Sequence, residues 1–396
     1  MSLTRRNFLA LAGYSVAASF VAHAARAEFL PVVMPGMAHP FPKDMAQTLG
    51  IPLAKLASQR GILFGSALPD LGKLGSNYKQ LIADNAAIVT PENDMKWLEV
   101  QQSPGQFEFA ALDDVEGFCT RHQLKLRGHT LVWYKDAERR GWLKQRLTDT
   151  PSIQSVSYKA MPAQGDIMAQ HINSIMGRYK GRMHSVDVVN EAIYCKDGRA
   201  DGLRETAWMR VYGADYVKRA FEQAAQADPT ATLVYNENQL EYQGSYYDKR
   251  RTALFKLLDR LQGSNTPIHA VGLQSHLKLG REFNPNQFSR FVNDLHKRGL
   301  QVMLTELDIR NVGSRMTMDE LNYKAAAHMQ SYLEAALAGA PIRTIQCWGL
   351  RDQVTTADQA TGDEGSTRRL LPFDKDGNKR PVYAAIARAL AQVPMA

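Results

Sequence analysis

Short apolar runs recur along the chain at intervals that leave room for one helix between neighbours. Ile62 to Ala67, Ala87 to Thr90, Lys125 to Leu131, Ser185 to Asn190, Thr232 to Asn236, Ala270 to Ser275, Gln301 to Glu306 and Thr344 to Trp348 read as eight strands. Most are continuous apolar stretches, not strict alternations, which is the pattern of strands covered on both faces. The intervening segments carry a helical stripe. Between Trp208 and Ala227 it consists of Val211, Tyr212, Tyr216, Val217, Ala220 and Phe221, and it stops at Asp228-Pro229. Tyr246 to Leu261 and Met318 to Leu337 are similarly amphipathic. Asn284-Pro285 opens a helix with Phe288, Phe291, Val292 and Leu295 inward, and Pro381 starts the last one, in the first turn, where its missing donor costs nothing. Eight alternations of strand and helix predict an α/β chain folded as a single (β/α)8 barrel over residues 51–396.

Active sites of such barrels gather at the C-terminal ends of the strands. Strand two runs into Glu92-Asn93-Asp94-Met95-Lys96-Trp97, and strand three ends in His129-Thr130-Leu131-Val132-Trp133. Strand four ends in Asn190-Glu191, strand five in Asn236-Glu237-Asn238, strand six in Gln274-Ser275-His276, strand seven in Glu306-Leu307-Asp308 and strand eight in Trp348. Sugars need this mixture, because each ring has hydroxyl edges for hydrogen bonds and apolar faces that pack on aromatics. Glu191 and Glu306 are also the minimum equipment for cutting a glycosidic bond, one as proton donor and one as nucleophile. The competing readings are plain: a structural ion pair for the glutamates, satisfied rim histidines for His129 and His276, a cap for Asp308, and core aromatics for Trp97, Trp133 and Trp348. Trp97 is read as core.

The 396 residues, 44% hydrophobic, suffice for one large buried core. Thr4-Arg5-Arg6-Asn7-Phe8-Leu9, a moderately apolar stretch and Ala25-Arg26-Ala27 make residues 1–27 an export signal of twin-arginine type, with an ordinary secretory leader as the alternative. Residues 28–50 read as a tether. Export to the periplasm or beyond follows, and nothing later approaches the length of a spanning helix. Loss of Arg5, Arg6 and Arg26 with the leader lowers the formal charge from +8 to +5, too mild and dispersed for nucleic acid, though compatible with a weak preference for uronic acids. Cys119, Cys195 and Cys347 fit no metal motif; a Cys119–Cys195 bridge stays open, and Cys347 is read as core.

The segments Pro91-Glu92-Asn93-Asp94-Met95-Lys96-Trp97, Gly128-His129-Thr130-Leu131-Val132-Trp133, Asp187-Val188-Val189-Asn190-Glu191, Gln274-Ser275-His276 and Thr305-Glu306-Leu307-Asp308 resemble, in this order, the motifs of glycoside hydrolase family 10, the endo-β-1,4-xylanases. The resemblance implies a secreted, monomeric, retaining enzyme without metal or organic cofactor, acting on xylan or a related β-1,4-glycan. It makes Glu191 the acid/base and Glu306 the nucleophile, with His276, Asp308 and Asn190 in support. Glu92, Asn93, Lys96, His129, Trp133, Gln274 and Trp348 match positions that line the sugar subsites.

Three departures bear on specificity. Tyr134 stands where the family usually has histidine, Gln353-Val354-Thr355-Thr356 lacks a common Ser-Trp pair, and Asn236-Glu237-Asn238 replaces Asn-Asp-Tyr-Asn. These keep open a β-1,4-glycanase acting on another or a substituted polysaccharide. A non-catalytic glycan-binding barrel and a metal-dependent hydrolase built on His129, His276 and the glutamates are the other readings; the first is disfavoured by the presence of both carboxylates, the second by the absence of ligand spacing.

Overall fold

The structure is a computed structural model; it describes residues 50–139, 141–152, 166–312, 316–352 and 367–395. Eight parallel strands close on themselves. In chain order the strands are β1 (Leu63–Leu68), β2 (Ile88–Pro91), β3 (Lys125–Gly128), β4 (Val132–Trp133), β5 (Met183–Asn190), β6 (Thr232–Glu237), β7 (Ala270–Leu273), β8 (His276–Lys278), β9 (Gln301–Val312), β10 (Thr344–Cys347) and β11 (Thr367–Leu370). The barrel is β1-β2-β3-β5-β6-β7-β9-β10, and β10 returns to β1 with Leu63 opposite Thr344. Helices cover its outside, among them Ala110–His122, Ile167–Arg178, Ser245–Gly263, Pro285–Lys297, Met318–Gly339 and Pro381–Gln392.

The apolar stripes become the wall between barrel and helices. On Pro285–Lys297 the side chains of Phe288, Phe291, Val292 and Leu295 are buried, each contributing about 1.5–3 kcal/mol. Asn284 caps this helix by accepting from the Gln287 amide at 3.0 Å. Inside the barrel the floor is apolar, with Val234, Ala270 and Met303 packed together. Nearer the strands' C-terminal ends the fill turns polar: Thr90, Asn236, Gln274, Thr305 and Gln346 are all buried.

Three expectations are corrected. The third strand stops at Gly128, and the chain resumes as β4 beside β5, with Trp133 opposite Asn190. A side chain at 128 would force its neighbours to shift, since a Cβ there would lie 2.8 Å from the Met95 sulfur and 2.9 Å from both the Met183 sulfur and Val186 Cγ2. The helix expected over Trp208 to Ala227 is two, Ala207–Tyr212 and Tyr216–Ala227, parted at Gly213, whose φ of 68° leaves the helical region. The seventh strand does not end at Glu306: β9 continues to Val312, pairing with β8 in parallel and with β11 antiparallel. Cys119, Cys195 and Cys347 are free thiols, so the bridge between the first two does not form. Residues 1–27 and most of the tether lie outside the described residues, as do Gln353 to Thr356. Among the described residues no helix is long and apolar enough to cross a membrane.

Candidate active site

Residue Glu191 follows the last residue of β5, and Glu306 lies within β9, three strands around the barrel. Both are nearly enclosed, at 8% and 4% exposure. Glu191 takes a left-handed backbone conformation, φ 57°, with its N–H donating to the Asn236 carbonyl at 3.0 Å. A glutamate in that region costs on the order of 1 kcal/mol and turns the side chain out of the strand's alternation.

Two carboxamides join the carboxylates. Gln274 Nε2 donates to Glu191 Oε1 at 3.0 Å and to Asn190 Oδ1 at 3.1 Å. Asn236 Nδ2 donates to the same Asn190 Oδ1 at 3.0 Å and to Glu306 Oε1 at 2.7 Å. Each of these two amide nitrogens carries two hydrogens, and both are used, so the five side chains of Glu191, Gln274, Asn190, Asn236 and Glu306 form one fixed relay. Strand register builds it: Asn190 and Asn236 are direct neighbours across β5 and β6. Thr305 Oγ1 donates to Asn236 Oδ1 at 2.7 Å, which fixes that amide's orientation. Gly272, beneath, leaves the space; a Cβ there would come within 2.3 Å of Asn236 Oδ1.

The other oxygen of Glu306 faces a charged train. His276 Nε2 donates to Glu306 Oε2 at 2.9 Å, and Nδ1 donates to Asp308 Oδ1 at 2.9 Å. Arg310 Nη2 donates to Asp308 Oδ2 at 2.9 Å and Arg369 Nε to the same oxygen at 3.1 Å. Glu306, Asp308 and Arg310 alternate along β9 and so share a face, while the pairing of His276 with Asp308 and of Arg369 with Arg310 supplies the rest. Burial opposes charge on His276, but Asp308 and Glu306 outweigh it and raise its pKa to about 9. Burial likewise works against an ionised Glu306; the bond from His276, the field of His129 and the bond from Asn236 prevail and hold it at about 2. Asp308 is driven below the ordinary carboxylate range by His276 and Arg310, again against burial. Near neutral pH the site therefore holds an ionised Glu306 hydrogen-bonded to an imidazolium.

The sugar-binding candidates lie in two groups. Lys96 Nζ donates to Asn93 Oδ1 at 2.9 Å and sits 5.1 Å from the Trp133 ring centroid; Glu92 is half-buried nearby, its field felt by Lys96. His129 and His276 approach Trp348 edge to face, at 5.4 and 6.2 Å between centroids. Burial lowers the Lys96 pKa, opposed by Asp136, Glu306 and Glu92. His129 Nδ1 bonds Asp187 Oδ2 at 2.8 Å, and Arg127 pairs with the other oxygen of Asp187. Trp97 is core, fully buried and stacked on His171. The sequence reading missed Asn236 as a site residue, and with it Asp187, Arg310 and Arg369. Asn236 ends a strand in the same position as Asn190, and that was the available signal. Glu237, one of the departures, is buried and engaged outside the relay: it accepts from Arg250 at 2.7 Å, Tyr235 at 2.6 Å and the Ile193 amide at 3.1 Å. Burial raises its pKa.

A closed parallel barrel with two glutamates tied into one network at the strand ends defines a barrel glycoside hydrolase. The chain belongs to glycosyl hydrolase family 10, whose profile matches residues 52–389. It is similar to the endo-1,4-beta-xylanase A of a Caldicellulosiruptor species, 32% identical over 308 residues, which are 75% of this chain and 41% of that relative; this chain thus spans under half of that protein. It is 30% identical to endo-1,4-beta-xylanase 1 of Humicola insolens, over 86% of this chain and 74% of the relative. Among solved structures, a xylanase from Thermotoga petrophila in complex with xylobiose matches 86% of this chain and 97% of its own, with a TM-score of 0.71 at 26% identity.

Proposed function

We propose that the chain is an exported endo-β-1,4-xylanase that cuts internal bonds of xylan by double displacement, with Glu191 as acid/base and Glu306 as nucleophile. The amide relay that ties Glu191 and Glu306 to the shared Asn190 carries this reading. Ionised Glu306 attacks the anomeric carbon while Glu191 gives its proton to the leaving oxygen; the covalent sugar is then released by water, from which Glu191 takes a proton. Retention requires the two carboxyl groups about 5–5.5 Å apart. Asn190 keeps its Oδ1 for Gln274 and Asn236, leaving Nδ2 for a sugar 2-hydroxyl, a contact that strengthens as oxocarbenium character grows. Lys96, Asn93 and Glu92 offer polar groups to ring hydroxyls, and Trp133 and Trp348 offer faces and edges. Glu92, His129 and Gln274 complete the proposed subsites. We further infer a leader over 1–27, a tether over 28–50 and a monomeric catalytic domain over 51–396, supported by the twin arginines and the small residues at Ala25 and Ala27.

The relatives' names support xylan as the substrate. Tyr134 and a relative named exoglucanase XynX from Acetivibrio thermocellus, 27% identical over 80% of this chain, favour a second reading, a β-1,4-glycanase with broader substrates. NMR of the first products from xylo-oligosaccharides tests the mechanism: the β-anomer is expected first. Glu306→Ala abolishes turnover, and Glu191→Ala with azide yields a β-glycosyl azide from substrates with good leaving groups. An initial α-anomer overturns the assignment of Glu306, and full activity in either variant overturns the pair. Cleavage of cellulose as fast as xylan selects the second reading.

A further inference from the structure

Arg204 lies on the loop after Glu191 and is held from three sides. Its Cζ is 3.8 Å from the Tyr134 ring centroid and 4.5 Å from that of Tyr194. Its Nε donates to the Glu191 main-chain oxygen at 3.3 Å, so the guanidinium is tethered to the backbone of the proposed proton donor. Its two terminal nitrogens have no hydrogen-bond or ion-pair partner among the described residues, and neither is sealed from solvent. The neighbouring acids are committed elsewhere. Asp201 and Glu205 both pair with Arg199, at 2.8 and 2.7 Å, and Glu191 Oε1 accepts from Gln274. Other arginines around this rim are matched: Arg250 with Glu237, Arg251 with Asp248, and Arg310 and Arg369 with Asp308. Lys135, exposed and 4.8 Å from the Trp133 centroid, adds positive charge on the same side.

A guanidinium whose stem is fixed and whose ring contacts set its plane offers a pre-oriented fork, the geometry that carboxylates take bidentately. Placed beside the scissile bond and lacking an acid from the protein, it is suited to an acid from the substrate. Resting on the glycan-cleaving reading above, we propose that Arg204 is a specificity-determining residue that binds the carboxylate of a uronic-acid side group on the sugar unit next to the bond that is cut. Tyr134, in the place of the family's usual histidine, holds the guanidinium with an aromatic face. The rival is a purely structural arginine that only steadies the loop through the Glu191 carbonyl. It would affect all substrates alike.

The test compares kcat/KM for a glucuronic-acid-substituted xylo-oligosaccharide and for the same compound with its carboxyl reduced to the alcohol. The native enzyme is expected to favour the acidic compound by about tenfold, less as salt is raised, and R204Q to equalise the two. R204K, which keeps charge but not the fork, retains a reduced preference. Equal rates in the native enzyme, or an unchanged ratio in R204Q, overturn the proposal. Calorimetric binding of both compounds to E306Q separates the two readings: if nothing is cleaved, the hydrolase reading falls, while tighter binding of the acidic compound still upholds Arg204 and equal binding removes it.

Discussion

The charge on Glu306 is kept by its neighbours, since burial alone would neutralise it. The three groups that oppose burial are His276, His129 and Asn236, and His276 is itself held as a cation by Asp308 as well as by Glu306. The linkage signs follow. Glu306, depressed to about 2, contributes stability above the ordinary carboxylate pKa of about 4.3 that is lost as pH falls through 2. His276, raised to about 9, contributes stability below about 6.5 that is lost as pH rises through 9. His276→Gln keeps an N–H donor for Glu306 and removes the charge. The acidic limb of kcat/KM is then expected to move up by about 1–3 pH units, the range an adjacent opposite charge commands. Asp308 stays paired with Arg310 and Arg369, so the variant should fold. An acidic limb left where it was would show that His276 supplies position and not charge.

At the scale of elements, the site depends on what adjacent strands leave for one another. Asn236 can stand inside the barrel because β7 carries Gly272 at the crossing point. Gly272→Ala would press a methyl against Asn236 Oδ1 and within 2.9 Å of the Thr305 side chain. The amide would have to swing, and its bonds to Asn190 and Glu306 would go with it. A shift near 1 Å in a reacting group costs about 100-fold, and overpacking costs about 1–3 kcal/mol. We expect kcat to fall by about that factor with the fold retained, read by steady-state kinetics and a urea midpoint; native kcat would mean that Asn236 does not position Glu306. The strands themselves were legible because buried apolar runs of this length, spaced by helical stripes, admit few arrangements. β5 and β10 lie within two residues of expectation. The strand-end position that Asn236 shares with Asn190 marks it only as a rim residue; its role in holding Glu306 appears when β5 and β6 are set in register. The extension of β9 was hidden for a similar reason. The apolar run stops at Glu306, yet Asp308 and Arg310 continue the strand because β8 and β11 arrive from distant sequence to pair with it. Gly213 was overlooked inside an otherwise continuous apolar stripe.

Across the whole molecule, the same burial that protects the core sets its tolerance of acid. The helix Ile167–Arg178 docks on the loop after β2 through His171, whose ring lies parallel to Trp97 at 3.6 Å between centroids and 4° between planes. That loop also carries Asn93 and Lys96, so this stack ties the outer helical layer to the proposed sugar-binding edge. Among the described residues neither His171 nitrogen has a hydrogen-bond partner, and burial depresses its pKa to about 3. A base neutral in the fold and free to protonate when unfolded removes stability as pH falls below about 6.5, on the order of 3 kcal/mol by pH 4. His328, depressed by burial to about 4, adds to the same slope. His171→Phe keeps a flat ring against Trp97 and discards two unbonded polar atoms. Its Tm at pH 7 should change little, within the tolerance of a near-isosteric core swap. The drop in Tm between pH 7 and pH 4, measured by scanning calorimetry, should shrink by several degrees relative to the native chain, at roughly 2–4 °C per kcal/mol. An unchanged drop would mean that the acid limit of the fold is set elsewhere, with His328 the first residue to substitute next.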